Sequence, residues 1–250
     1  MNKPLAVVIM AAGKGTRMKN PDMAKVMYQI NGKPMIEHVV DLALDLESEN
    51  TVVVVGWQKD SVIEHLASTG KRVTCVVQSP QLGTGHAAMQ AEPALRDFEG
   101  DVLVLSGDVP MLRFTTVRDL LTLHRAKDAS ATVLTAILDD ASGYGRIMRN
   151  SDGTVISIIE DKDATEEQRA IREINSGIYV FNKSDLFQGL THITPNNVQK
   201  EYYLTDVFDY FRQKNLRVCA VTAKNAQEIQ GINTLQQLEE ARSLMEKSIS

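Results

Sequence analysis

Leu5-Ala6-Val7-Val8-Ile9-Met10-Ala11-Ala12-Gly13-Lys14-Gly15-Thr16-Arg17 is the stretch that decides the architecture. Leu5 to Met10 is an unbroken apolar run with no polar face, the pattern of a central strand in a parallel sheet covered on both sides. The pair Gly13 and Gly15 follows at the strand's C-terminal end, where open α/β sheets bind their ligands. Glycines there let the backbone approach a ligand closely and aim its N–H groups at anionic oxygens. Lys14, Arg17 and Lys25 add positive charge around the pair. The stretch is not a Walker A loop, because the Gly-Lys-Ser/Thr ending is missing. It is not the dinucleotide fingerprint either, because no third glycine follows Thr16-Arg17-Met18.

Outward from this loop, strand and helix patterns alternate. Pro34 to Leu46 carries Ile36, Val39, Val40, Ala43 and Leu46 at helical spacing, with a proline suited to a first turn. Thr51 to Val55, Val73 to Val77, Val102 to Leu105 and Ala131 to Leu138 read as strands. Ser61 with Glu64 predicts a capping box for a helix through Leu66, and Thr115 or Thr116 is the expected cap of a helix through Leu123. The alternation stops at Gly143-Tyr144-Gly145. Arg146 to Met148 and Thr154 to Ile159 flank Asn150-Ser151-Asp152-Gly153, a hairpin signal. Ile178 to Phe181 and Arg217 to Val221 read as further strands, Tyr203 to Phe211 as a helix, and Thr234 to Met245 as a C-terminal amphipathic helix. The expected fold is α/β: a doubly wound, mostly parallel, Rossmann-like sheet with a smaller, partly antiparallel lobe.

Composition narrows the function classes. The 250 residues are 43% hydrophobic and 24% charged, ordinary for a globular protein and enough chain to bury a core without disulfide or metal staples. A net charge of -5 argues against a partner held by wholesale phosphate neutralisation, so no nucleic acid is expected. A small anionic nucleotide needs only a few local cations. Cys75 and Cys219 make no Cys-x-x-Cys pairing and read as small buried hydrophobes in a reducing compartment. No apolar run approaches the ~20 residues of a membrane span, and Leu5 to Ala12 leads into the glycine loop without a cleavage region. No membrane partner and a cytoplasmic location are therefore expected.

Ala11-Ala12-Gly13-Lys14-Gly15-Thr16-Arg17-Met18 followed by Lys25 resembles the signature of sugar-1-phosphate nucleotidyltransferases. Gln81-Leu82-Gly83-Thr84-Gly85-His86-Ala87, Gly107-Asp108-Val109-Pro110, Gly143-Tyr144-Gly145-Arg146, Glu160-Asp161-Lys162-Asp163-Ala164-Thr165, Glu173-Ile174-Asn175-Ser176-Gly177 and Glu201-Tyr202-Tyr203-Leu204-Thr205-Asp206 follow in order. The ordered set, over nearly the whole chain, resembles the uridyltransferase domain of the bacterial bifunctional N-acetylglucosamine-1-phosphate uridyltransferases/glucosamine-1-phosphate acetyltransferases. The resemblance implies transfer of UMP from UTP to N-acetylglucosamine 1-phosphate, giving UDP-N-acetylglucosamine, a cell-envelope precursor, and pyrophosphate, with Mg²⁺ as cofactor. It implies a domain over residues 1–233 with a nucleotide-binding first half and a sugar-binding second half, then a C-terminal helix over 234–250. The chemistry fits a site without Ser/His/Asp or Cys/His machinery. A phosphate monoester is mostly ionised at neutral pH, so the work is positioning two polyanions and stabilising the leaving charge.

The resemblance also implies the site residues. The loop Met10, Ala11, Ala12 and Gly13 binds substrate. Arg17 steadies the leaving pyrophosphate, and Lys25 approaches the reacting phosphates; these two are the catalytic pair. Gln78, Gly83 and Thr84 address uracil. Ser106 and Gly107 precede Asp108, which binds magnesium with Asn233. Gly145, Glu160 and Asn175 contact the sugar. Read alone, Asp108 is equally a turn or helix cap, Asn233 a helix N-cap, Gln78 a surface glutamine and Glu160 a strand end. Tyr202 and Tyr203 read as packing residues, and His86 has no chemical role. The sequence departs from the family pattern at Ser106, where a tyrosine is common, and at Ala24, where a proline is common; the loop between Met18 and Lys25 is one residue longer. No hexapeptide repeat occurs before Ser250, so the β-helix acetyltransferase domain is absent from these residues, no acetyl transfer is expected of them, and a monomer or weak oligomer is expected. Two rivals stand: a nucleotidyltransferase for another sugar 1-phosphate, and a non-catalytic sugar-nucleotide-binding protein.

Overall fold

The computed structural model describes residues 3–18, 20 and 22–247. In chain order the elements are β1 (Leu5–Ala11), β2 (Gln29–Ile30), β3 (Lys33–Pro34), α1 (Met35–Asp45), β4 (Asn50–Val55), α2 (Lys59–Ser68), β5 (Thr74–Val77), α3 (Thr84–Met89), β6 (Asp101–Ser106), α4 (Phe114–Ala126), β7 (Ala131–Ile137), β8 (Arg146–Arg149), β9 (Val155–Ile159), α5 (Glu166–Arg169), β10 (Glu173–Asn182), α6 (Lys183–Leu190), α7 (Val207–Gln213), β11 (Val218–Thr222) and α8 (Leu235–Lys247), with short 3-10 turns between. Among the described residues, one nine-stranded sheet runs β11-β7-β10-β6-β1-β4-β5, with β8 attached to β10 and β9 to β8; β2 and β3 form a separate ribbon.

The apolar run that opens the chain lies inside the sheet. β1 pairs in parallel with β4 on one side and β6 on the other. Its alternate residues feed two cores. Val7 and Ile9 join Ile36, Val39 and Val40 of α1 and Val117 and Leu120 of α4 on one face. Ala6 and Val8 join Ala87 of α3, Leu186 of α6 and Phe208 and Phe211 of α7 on the other. Burial on both faces is why the run carries no polar alternation. Each such side chain contributes about 1.5–3 kcal/mol when fully buried. Phe181 of β10, 0% exposed, lies with its ring centroid 5.4–6.1 Å from those of Tyr179, Phe208 and Phe211.

Several local expectations need correction. The strand read as Ile178 to Phe181 is the second half of the ten-residue β10, and it belongs to the main sheet, antiparallel to both β6 and β7. The predicted hairpin is present as β8–β9 and joins the sheet through β10. Ser61 does not cap α2: that helix starts at Lys59 after Gln58 in the left-handed region, and Ser61 Oγ donates back to the Gln58 carbonyl. Neither Thr115 nor Thr116 caps α4, whose N-cap is Arg113; Thr116 instead donates to Glu228. The free thiols Cys75 and Cys219 are half-buried rather than buried, because β5 and β11 are the edge strands; burial nevertheless pushes both thiols up. Among the described residues no helix is long and apolar enough to cross a membrane.

Parallel pairing of β6, β1, β4 and β5 brings the loops that follow these strands to one edge of the sheet. Antiparallel β10 delivers its beginning, Glu173 to Gly177, to that same edge. The topology thus gathers both halves of the motif set at one place.

Candidate active site

A cavity of about 920 Å³ opens at this edge, lined by Met10, Ala11, Ala12, Gly13, Lys14, Lys25, Gln78, Gly83, Thr84, Ser106 and Asp108, among others. A second of about 210 Å³ is lined by Gly145, Glu160 and Asn175 and shares Met10, Thr84 and Ser106 with the first. Gly107 lies behind the wall: its N–H donates to the Met10 carbonyl at 3.0 Å, and a Cβ there would press on Ile36, Val26 and Ala11. Arg17 and Asn233 adjoin the larger cavity through their bonds to one another and to Lys25.

The glycine loop is shaped by close approach. Gly15 has φ +60°, and a Cβ there would lie 2.5 Å from Lys25 Cβ. Glycine adopts that conformation without strain, and its missing Cβ lets the Lys25 stem cross the loop. Gly13 has nothing within 4 Å of where a Cβ would stand, so its backbone faces open cavity. The 3-10 turn at Lys25–Met27 is entered through Ala24 at φ −61°, an angle proline also adopts.

Four groups converge beside the loop. Lys25 Nζ donates to Asp108 Oδ2 and, at 3.0 Å, to Asn233 Oδ1. Arg17 Nη2 donates to the same Asn233 oxygen at 2.8 Å. The amide's orientation is fixed from behind, since Asn233 Nδ2 donates to the Gly231 carbonyl at 3.0 Å. Asn233 is not the cap of α8. Thr234 and Gln237 form the cap, and Gln237 Oε1 also accepts from the Asn233 N–H at 2.8 Å. Asp108 is anchored through its carbonyl, which accepts from Ile232 N–H at 2.9 Å. Two hard oxygens, one of them anionic, therefore meet at the Lys25 ammonium, with Arg17 on the second of them. Mg²⁺ takes few protein oxygens and completes its shell with phosphate and water, so this donor pair fits a divalent ion. Among the described residues no group of three or more His, Cys, Asp or Glu side chains could hold a metal.

The base end of the large cavity is preorganised. Gln78 is 4% exposed, not the surface glutamine its isolated reading allows. Its Nε2 donates to the Gly83 carbonyl at 2.9 Å and lies 3.2 Å from His86 Nδ1, so His86 has a positioning contact that the sequence did not reveal. The loop after Gln78 is zipped to the segment before α7: Tyr202 N–H donates to Leu82 O at 2.8 Å, Gly85 N–H to Tyr202 O at 2.7 Å, and Leu204 N–H to Thr84 Oγ1 at 3.0 Å. Trp57, Lys59 and Gln81 also line this cavity, and the Lys14 ammonium sits 5.4 Å from the Trp57 ring centroid. Trp57 and Lys59 were not singled out from sequence, and Gln81 was quoted in a motif without a role; the glycine motif carries no signal for residues supplied by the next two loops.

In the smaller cavity, Asn175 is held in a network. Its N–H donates to Gly145 O at 2.8 Å, its Nδ2 to the Tyr179 hydroxyl at 2.6 Å, and its Oδ1 accepts from Gly177 N–H at 3.0 Å. Glu160 Oε1 accepts from Thr205 Oγ1 at 3.1 Å, and burial pushes its carboxyl above the usual range. Tyr144 shares this wall; burial, with Asp108 nearby, raises its phenol. Tyr203 is buried, as expected of a packing residue.

Comparison with known proteins agrees with this geometry. The Nucleotidyl transferase family model matches residues 6–235. The chain is 47% identical over 242 residues to the bifunctional protein GlmU of Brevibacillus brevis, covering 97% of this chain and 52% of that protein. It is 48% identical to GlmU of Geobacillus thermodenitrificans with the same coverages. The chain thus spans about half the length of the curated relatives it matches. Among solved structures, a UDP-glucose pyrophosphorylase complexed with UDP-glucose superposes with TM-score 0.76 at 21% identity, over 99% of this chain and 100% of that one. A putative glucose-1-phosphate thymidylyltransferase from Bacillus anthracis gives 0.74 at 20% identity, over 96% and 94%. These two likenesses are of fold. With the ordered motifs gathered at one sheet edge and a family match over nearly its whole length, the chain belongs to the nucleotidyl transferase family.

Proposed function

We propose that this chain transfers UMP from UTP to N-acetylglucosamine 1-phosphate, forming UDP-N-acetylglucosamine and releasing pyrophosphate. The observation that carries the reading is the joining of a glycine-lined cavity to a smaller one holding Glu160 and Asn175 through Met10, Thr84 and Ser106, with Lys25 and Asp108 lining the larger one. The identity to GlmU proteins supports the choice of base and sugar.

The residues divide the work. Gln78, its amide nitrogen tied to Gly83, presents a fixed hydrogen-bonding edge to uracil, so that a mismatched base leaves buried polar groups unpaired. Gly13 and its neighbours offer backbone to the triphosphate. Glu160 and Asn175 receive the sugar hydroxyls and acetamido group. The attacking phosphate oxygen is already ionised, so no side chain need remove a proton. Arg17 and Lys25 stabilise charge that builds on the leaving pyrophosphate. A magnesium ion held by Asp108 and Asn233 would offset phosphate charge and orient the reacting groups.

The test is pyrophosphate release across a panel of nucleoside triphosphates and sugar 1-phosphates with Mg²⁺. UTP with N-acetylglucosamine 1-phosphate should lead, and Asp108→Ala should lower turnover by about 10²-fold or more, the scale of a lost transition-state contact. Preference for an unacetylated sugar would favour the rival transferase. Binding of UDP-N-acetylglucosamine without turnover would favour the non-catalytic one.

A further inference from the structure

Both oxygens assigned to the divalent ion are engaged by the chain's own cations: Lys25 Nζ spans Asp108 Oδ2 and Asn233 Oδ1, and Arg17 shares the latter. We propose that Lys25 is a built-in placeholder for the metal, competing with it for Asp108 and Asn233 and passing to the nucleotide's phosphates when the metal takes its place. The proposal rests on the metal-ligand assignment made above.

Three features support an exchange rather than a fixed ion pair. An ammonium and a divalent cation cannot share one pair of oxygens, because they repel at that distance. The lysine is built to move. Its Cβ and Cγ pass close over Gly15, where any side chain would block them, and the charge sits at the far end of a flexible four-carbon stem. The oxygens are built to stay. Asn233 is pinned by Gly231 and Gln237, and Asp108 by its backbone bond to Ile232. Charge then sets the order of events. Lys25 and Arg17 against Asp108 leave this cluster with one surplus positive charge, so a metal entering alone is opposed by like charge. A polyanionic triphosphate that draws Lys25 and Arg17 toward itself removes the opposition. Metal and nucleotide therefore strengthen each other's binding, and Lys25 transmits part of that coupling.

The experiment is Mn²⁺ binding to the nucleotide-free chain, read from the free-ion electron paramagnetic resonance signal. Lys25→Met and Lys25→Gln should each bind Mn²⁺ at least about tenfold more tightly than the parent, and adding Asp108→Asn to either should abolish the gain. Equal Mn²⁺ affinity in the parent and both Lys25 variants, with Asp108→Asn still weakening all three, overturns the placeholder while leaving the metal ligands standing. Indifference of every background to Asp108→Asn overturns the metal assignment and the placeholder with it. A second readout uses the unmodified chain. Mg²⁺, at a concentration shown by competition with Mn²⁺ to fill the site, should raise the acetylation rate of Lys25 by acetic anhydride, relative to Lys14 in the same digest, by about threefold or more. An unchanged ratio counts against the exchange.

Discussion

At the scale of single residues, Gly13 and Gly83, two of the glycines lining the larger cavity, do opposite jobs. Gly83 has φ +106°, and a Cβ there would lie 2.6 Å from the Tyr202 carbonyl and 2.8 Å from Glu201 Cβ. Gly83→Ala should force the loop off that segment, cost about 1–3 kcal/mol, and lower Tm by several degrees while raising KM for UTP, because Gln78 loses its Gly83 partner. Gly13→Ala meets nothing within 4 Å; it should leave Tm unchanged and weaken UTP binding alone. Thermal melts and steady-state kinetics on the two variants separate the roles. Trp57, the sequence's one tryptophan, offers a direct probe. With Lys14 over its ring, its emission should change saturably as UTP enters, and a flat titration would place the nucleotide elsewhere. The glycine loop was legible because its chemistry is contiguous in the chain. Trp57 and Lys59 were not, because their place in the cavity is set by the parallel alignment of β1, β4 and β5.

At the scale of elements, α8 is the revealing case. The sequence reading gives a domain over residues 1–233 followed by a C-terminal helix over 234–250. In the fold, Leu238 and Ala241 pack with Met18, Ile30, Met35 and Ile232, and Arg242 donates to the Gln29 carbonyl at 3.0 and 2.8 Å. The helix therefore braces the loop that carries Arg17, and its capping box holds Asn233. Gln237→Ala should cost only about 1 kcal/mol of stability, the usual cost of a lost cap, yet reduce turnover by more than tenfold, because the Asn233 backbone loses its anchor. Turnover and Tm measured on one preparation check the disproportion. β10 shows the opposite limit of legibility. Its pairing register shifts between Asn175 and Tyr179, and Gly177 sits at φ +77°. Asn-Ser-Gly does not read as strand, so periodicity finds only the regular half. The irregular half turns Asn175 toward the smaller cavity, as β-bulges do beside sites. α3 was hidden by its length: the six residues Thr84–Met89 are too few to show a helical stripe.

At the scale of the whole molecule, one buried and one half-buried carboxylate pull the pH dependence of stability in opposite directions. Asp101, at the end of the sheet remote from the cavities, is 0% exposed. Burial alone would raise its pKa, but His124, Lys3 and Arg125 together hold it well below the usual carboxylate range. Its contribution is present above the ordinary value of 3.8 and lost as pH falls through the folded value. Asp206, just before α7, is pushed up to about 6 by burial and by the charges of Asp209, Glu160 and Asp163. The folded chain therefore keeps a proton there that the unfolded chain releases near 3.8. That favours the fold at low pH, and the benefit fades as pH rises through about 6. Above that point the ionised carboxylate burdens the fold. Asp206→Asn removes the charge and should stabilise the chain at pH 7.5 by about 1 kcal/mol, after allowing for solvent screening at a partly exposed group. For a chain of this size that is about 2–4 °C in Tm. The gain should shrink steadily as the melts are repeated from pH 6.5 down toward pH 4. A gain of the same size at every pH would mean that the asparagine acts through packing or capping and that Asp206 carries no electrostatic strain. A loss at pH 7.5 would mean that the α7 N-terminus stabilises the carboxylate more than Glu160, Asp163 and Asp209 repel it.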